Sequence, residues 1–118
     1  MTNYYYLASN QEMGLGNGSV EFLKTDPYTI IGFDYPIQIE IYNGLSKDWE
    51  LQELLQYILK YTAPYKNCTV QIANLLNPEQ IELGVQKKHS LLLHEIKESK
   101  QLLLQKGHLL TIKKVPGL

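Results

Sequence analysis

The run Pro36-Ile37-Gln38-Ile39-Glu40-Ile41-Tyr42-Asn43 leaves the chain few choices. A branched aliphatic stands at every second position, and such side chains suit a pleated strand better than a helix. The alternation turns Ile37, Ile39 and Ile41 to one side and Gln38, Glu40 and Tyr42 to the other. A strand with one apolar face requires a sheet and a second layer to cover it. Pro36 opens this strand and Asn43-Gly44 ends it.

The covering layer follows directly. In SKDWELQELLQYILKYTAP, Leu51, Leu54, Leu55, Ile58 and Leu59 recur at helical spacing and form an apolar stripe. Ser46 or Asp48 is placed to cap the helix, Asp48 and Glu50 suit the positive end of its dipole, and Pro64 stops it. Cys68–Ala73 reads as a strand, with Val70 and Ile72 on one side and Thr69 and Gln71 on the other. Asn77-Pro78-Glu79-Gln80 fits either a helix cap or a hairpin turn. The alternation of Ile81, Leu83 and Val85 favours the hairpin. Leu92, Ile96 and Leu103, widened by Leu93 and Leu104, predict a second helix over about 88–106 with Gly107 as its C-terminal cap. His108–Val115 closes the set as a strand before Pro116.

Residues 37–115 thus read strand, helix, strand, strand, helix, strand. This is the split βαβ, ferredoxin-like order: an α+β fold with two helices on one face of an antiparallel sheet. Residues 1–35 read as a β-rich extension in which Tyr4–Ala8 pairs with Val20–Leu23 and Tyr28–Phe33 is a further β-prone run. A chain of 118 residues is the size of one domain, with 36–115 as its core.

Charge narrows the function. All eleven basic residues are lysines, and the net charge is −1. Without arginine the chain lacks the usual bidentate reader of guanine and phosphate, which disfavours sequence-specific nucleic-acid binding. Loose single-strand contact through tyrosines and Lys113 and Lys114 is a weaker possibility. Residues 1–59 carry eight acids against Lys24 and Lys47, a balance of −6; residues 60–118 carry nine lysines against four glutamates, a balance of +5. One cysteine, no apolar run of membrane length and no basic-then-apolar leader point to a cytoplasmic protein.

No motif carries a recognisable chemistry. Gly14, Gly16 and Gly18 are spaced G-x-G-x-G, which is neither the dinucleotide fingerprint nor a nucleotide loop, and Asn17-Gly18 suits a tight turn. His89 and His94 fall on different faces of the predicted helix. His94 and Glu98 share a face, but two groups are too few for a stable metal site. His108 sits beside the expected cap. Cys68 reads as a buried, inert thiol and Trp49 as helix-start packing. No catalytic centre, metal or cofactor is expected.

What remains is surface. The side of the sheet away from the helices would present Gln38, Glu40, Tyr42, Thr69, Gln71, Glu82, Thr111 and Lys113. Asp48, Glu50 and Glu53 add an acidic patch on the helix. These predict a non-catalytic protein that binds another protein through Gln38, Glu40, Tyr42, Gln71, Asp48, Glu50 and Glu53. One version is an immunity- or inhibitor-like neutraliser of a basic partner; monomer and homodimer both remain open. The alternative is a small-ligand binder or enzyme with a pocket between the glycine loop and the sheet, using Asp34, Glu40 or His108.

Overall fold

The computed structural model describes residues 2–14, 22–41, 45, 47–77 and 84–116, with the backbone alone at 2, 3, 76 and 77. They form six strands and one α-helix: β1 (Thr2–Ser9), β2 (Leu23–Tyr28), β3 (Ile37–Ile41), α1 (Asp48–Thr62), β4 (Cys68–Asn77), β5 (Lys87–Leu92) and β6 (His108–Lys114). The strands make one sheet in the order β2-β3-β1-β4-β6-β5. All neighbours are antiparallel except β5 and β6, which run parallel.

The ferredoxin-like expectation is overturned: the sheet is mixed and has six strands, and one helix takes the place of two. Part of the predicted order survives. β3 and β4 both run antiparallel to β1, so β3–α1–β4 is a split βαβ unit with β1 between its strands.

The second predicted helix is instead strand β5 followed by two 3-10 turns, Leu93–Glu95 and Ser99–Leu102. Its leucines meet the core from an irregular crossover. Leu102 is buried, and Leu91, Leu93, Ile96 and Leu104 pack against the same cluster as α1. Side chains hold the crossover out of a helix. Glu95 Oε1 accepts from the Leu92 N–H at 2.7 Å, and Gln101 Oε1 accepts from the N–H groups of Lys97 and Glu98.

The N-terminal third also differs. β1 is a central strand, not an extension, and β2 pairs with β3 instead of β1. Val20, the glycines Gly16 and Gly18, Ser46, Asn43-Gly44 and the Pro78–Gln80 segment lie outside the described residues. At the helix start Lys47 is the cap position and Asp48 is already helical; the Glu50 carboxylate accepts from the Lys47 N–H at 3.0 Å. At the other end Lys114 Nζ donates to the Thr62 and Ala63 carbonyls, where a cation suits the helix dipole.

Both sides of the sheet are covered. On one, Tyr5, Leu7, Ile39, Ile41, Val70, Ile72, Leu110 and Ile112 pack under Leu51, Leu54, Tyr57 and Ile58 of α1. On the other, Tyr6, Ala8, Ile37, Ala73, Leu75 and Leu109 pack with Ile30, while Phe33, Tyr35 and Val85 are half-buried against them. The uniform isoleucine face is therefore corrected. The β1–β3 register shifts beside Gln38, so Ile37 falls opposite Ala8 and joins the second layer, whereas Ile39 and Ile41 stay under α1.

Glycine geometry lets the 30–35 segment close over that second side. Gly32 and Gly84 both have positive φ, 105° and 80°. A Cβ at Gly84 would lie 2.5 Å from the Ile31 carbonyl oxygen, and one at Gly32 would lie 2.5 Å from Val85 Cβ. Between them the Val85 N–H donates to the Ile31 carbonyl at 2.8 Å.

Candidate functional site

Sheet edges are where unpaired backbone groups meet solvent, so the site is built from there. β5 has β6 on one side. Among the described residues no strand lies on the other. Lys87 donates its N–H to the Gly107 carbonyl at 3.2 Å, which fixes the phase of the pairing. In a parallel ladder with this register, Lys87, His89 and Leu91 turn both backbone groups toward β6. Lys88 and Ser90 therefore direct theirs outward. The outward N–H of Leu92 is already taken by Glu95.

The side chains of β5 differ by face. Lys88 and Ser90 lie on the side of Thr111 and Lys113, and Lys88 Nζ stands 3.9 Å from Asp34. His89 and Leu91 lie on the α1 side, where they border a groove of about 590 Å³ closed by Leu103, Leu104, Leu110 and His108. Leu103 is 52 % exposed, so the groove has an apolar lip at the surface.

The groove's wall is tied to the sheet centre. The buried Tyr5 hydroxyl accepts from the Leu104 N–H at 2.8 Å and donates to the Leu102 carbonyl at 3.0 Å. Burial pushes this phenol up to about 12, against a smaller lowering by the Leu104 hydrogen bond. Asn74 Nδ2 donates to the Leu104 carbonyl, and its Oδ1 is buried with no hydrogen-bond partner.

His89 Nε2 and His108 Nδ1 stand 3.2 Å apart, with ring centroids 5.2 Å apart and planes tilted by 35°. Nothing in the sequence paired these residues. They are diagonal neighbours only because β5 and β6 run parallel.

The residues chosen from sequence are scattered. Gln71 is completely buried; its amide donates to Asp34 and Thr111 and accepts from the Asp34 N–H, so it presents no surface to a partner. Gln38 pins the chain after β1, donating to the Ser9 and Gln11 carbonyls and accepting from the Met13 N–H. Glu40 accepts from the Tyr28 hydroxyl. Tyr42 and Glu82 lie outside the described residues. On α1, Asp48 is exposed, Glu53 is half-buried and Glu50 caps the helix. Asp34, Glu40 and His108, grouped for the ligand-binding alternative, have three different partners: Gln71, Tyr28 and His89.

Two single-residue expectations resolve clearly. Cys68 is buried and its thiol is pushed up by desolvation, partly offset by Lys114. Trp49 is 46 % exposed and not part of the core. A feature missed in the sequence is the column Phe22, Tyr57, Tyr61, Tyr65. Its rings succeed one another at 4.5, 6.2 and 6.0 Å, and the four-residue spacing of the tyrosines was its readable signal. With Gly14, Lys60 and Pro64 the tyrosines border a cavity of about 260 Å³ between residue 14 and α1.

Among the described residues no helix is long and apolar enough to cross a membrane, and no three histidine, cysteine or acidic side chains converge. No family model matches the chain, and no curated protein or solved structure matches it either.

Proposed function

We propose that this protein acts in the cytoplasm by binding another protein, taking an extended acidic segment of it as an added strand along β5. The observation that carries this reading is the outward pair of backbone groups at Lys88 and Ser90 on an edge with no described neighbour. Strand addition draws affinity from main-chain hydrogen bonds and specificity from pockets that receive alternate side chains. Both are supported locally. On the α1 side the groove offers Leu91, Leu103, Leu104 and Leu110 to apolar side chains. On the opposite side Lys88 and Lys113 offer charge to acidic ones.

Charge also selects between occupants. A second copy pairing through its own β5 would bring Lys87, Lys88 and His89 against the same residues, and like charges across a strand pair are unfavourable. An acidic strand has the complementary sign. The acidic residues of α1, in contrast, lie away from this edge, and Glu50 is held by the helix start.

The test is fluorescence anisotropy with a labelled peptide alternating valine and glutamate, against one alternating valine and lysine. The acidic peptide is expected to bind, and Lys88→Glu and Ser90→Pro are each expected to weaken it about tenfold. Proline is tolerated at an outward edge position, so the fold is retained there. Equal affinity for both peptides, or acidic-peptide binding untouched by both substitutions, overturns the reading.

A further inference from the structure

We infer that His89 and His108 form a two-histidine site for a borderline divalent ion such as zinc. The argument starts from the backbone. Six registered residue pairs hold β5 to β6, and the His108 N–H donates to the Gln105 carbonyl at 3.1 Å. The two imidazoles are therefore brought together by rigid strands, as a preorganised ligand pair requires.

The spacing fits an ion. Zinc binds imidazole nitrogen at about 2.0–2.1 Å in tetrahedral geometry, which sets two ligating nitrogens roughly 3.3 Å apart. His89 Nε2 and His108 Nδ1 are 3.2 Å apart. Only tautomers need change: with the protons on His89 Nδ1 and His108 Nε2, both facing nitrogens carry lone pairs.

Ligand chemistry sets the class of ion and its strength. Two imidazoles with no thiolate and no convergent carboxylate suit zinc, copper(II) or nickel(II) and not calcium or magnesium. The protein fills two positions, which leaves the others to solvent or to a group entering the groove. Ser90 and Gln105 are the nearest uncommitted polar groups lining it, since Gln101 Oε1 already accepts from Lys97 and Glu98. Lys87, opposite His108 in the ladder, opposes a bound cation, so the site is weaker than a closed structural zinc centre.

Calorimetric titration of the full chain with zinc chloride tests this, with the same titration on His89→Ala, His108→Ala and His94→Ala. His94 borders a different cavity, with Leu59, Ile96 and Lys114, and serves as the control. One saturable equivalent is expected for the wild type and for His94→Ala. Each of the other two variants should lose at least about tenfold in affinity while keeping the wild-type circular dichroism spectrum. Imidazole resonances of His89 and His108 alone should shift on titration. Absence of saturable binding by the wild type, or loss in His94→Ala with the other two unaffected, overturns the assignment. Peptide binding plays no part in this measurement, so its result is independent of the strand-addition proposal.

Discussion

The two edges of the sheet are closed in different ways. β2 carries Asp26 and Pro27 in its middle, its register with β3 breaks between Lys24 and Tyr28, and the Tyr28 side chain is tied to Glu40. Proline removes a donor and an irregular register spoils the template, so this edge is protected by its backbone. β5 has no proline and six regular pairs. Its only guards are the charges of Lys87, Lys88 and His89. A backbone guard excludes every incoming strand, whereas a charge guard excludes by sign. That contrast is why β5 is the edge assigned to an acidic partner.

The largest effect is expected where the β5 side leans on the sheet centre. Tyr5→Phe leaves the Leu104 N–H and Leu102 carbonyl without their partner. Each buried unsatisfied group costs about 1–3 kcal/mol, so urea unfolding should show a loss of about 2–3 kcal/mol. An unchanged midpoint would contradict the role given to this hydroxyl. The same variant tests a pH effect. Burial raises Tyr5 and Tyr61 from 10.0 to about 12 and raises Tyr57 as well. Unfolded tyrosines ionise near pH 10, so this contribution to stability is complete below that pH and is lost as pH rises toward 12. Tyr5→Phe should flatten that alkaline decline.

A smaller effect is expected at the other edge. Pro27→Val restores a donor and a β-branched side chain to β2. Stability should move by less than about 1 kcal/mol, but sedimentation should show more self-association than the wild type. If β2 stays monomeric without its proline, the register break and the Tyr28–Glu40 contact are sufficient guards, and the contrast between the edges rests on them.

How much was legible depended on whether local pattern and tertiary context agreed. The alternation in Ile37–Ile41 and the stripe through Leu51, Leu54 and Ile58 identified β3 and α1, because burial there follows the period of the element. The Gln38 bulge was invisible, because a register shift leaves composition unchanged. Residues 88–106 misled for a physical reason. Leucines at 92, 93, 103 and 104 among glutamates, lysines and glutamines have helix-forming propensity, but pairing with β6 overrides it. That pairing is parallel and spans a long crossover, so no short-range signal announces it. The histidine pair is hidden in the same way, its members standing 19 residues apart. Gln71 illustrates the converse: a polar residue in an alternating strand reads as solvent-facing until Asp34 and Thr111 enclose it.

Amide hydrogen exchange along β5 tests most directly whether this edge is open. The N–H groups of His89 and Leu91 face β6, while those of Lys88 and Ser90 face outward. Rapid exchange at Lys88 and Ser90, slow exchange at His89 and Leu91, and slowing of the first pair by the valine–glutamate peptide are the predicted results. Protection of Lys88 and Ser90 equal to that of His89 and Leu91 in the free protein would mean the edge is already paired, and would contradict the account.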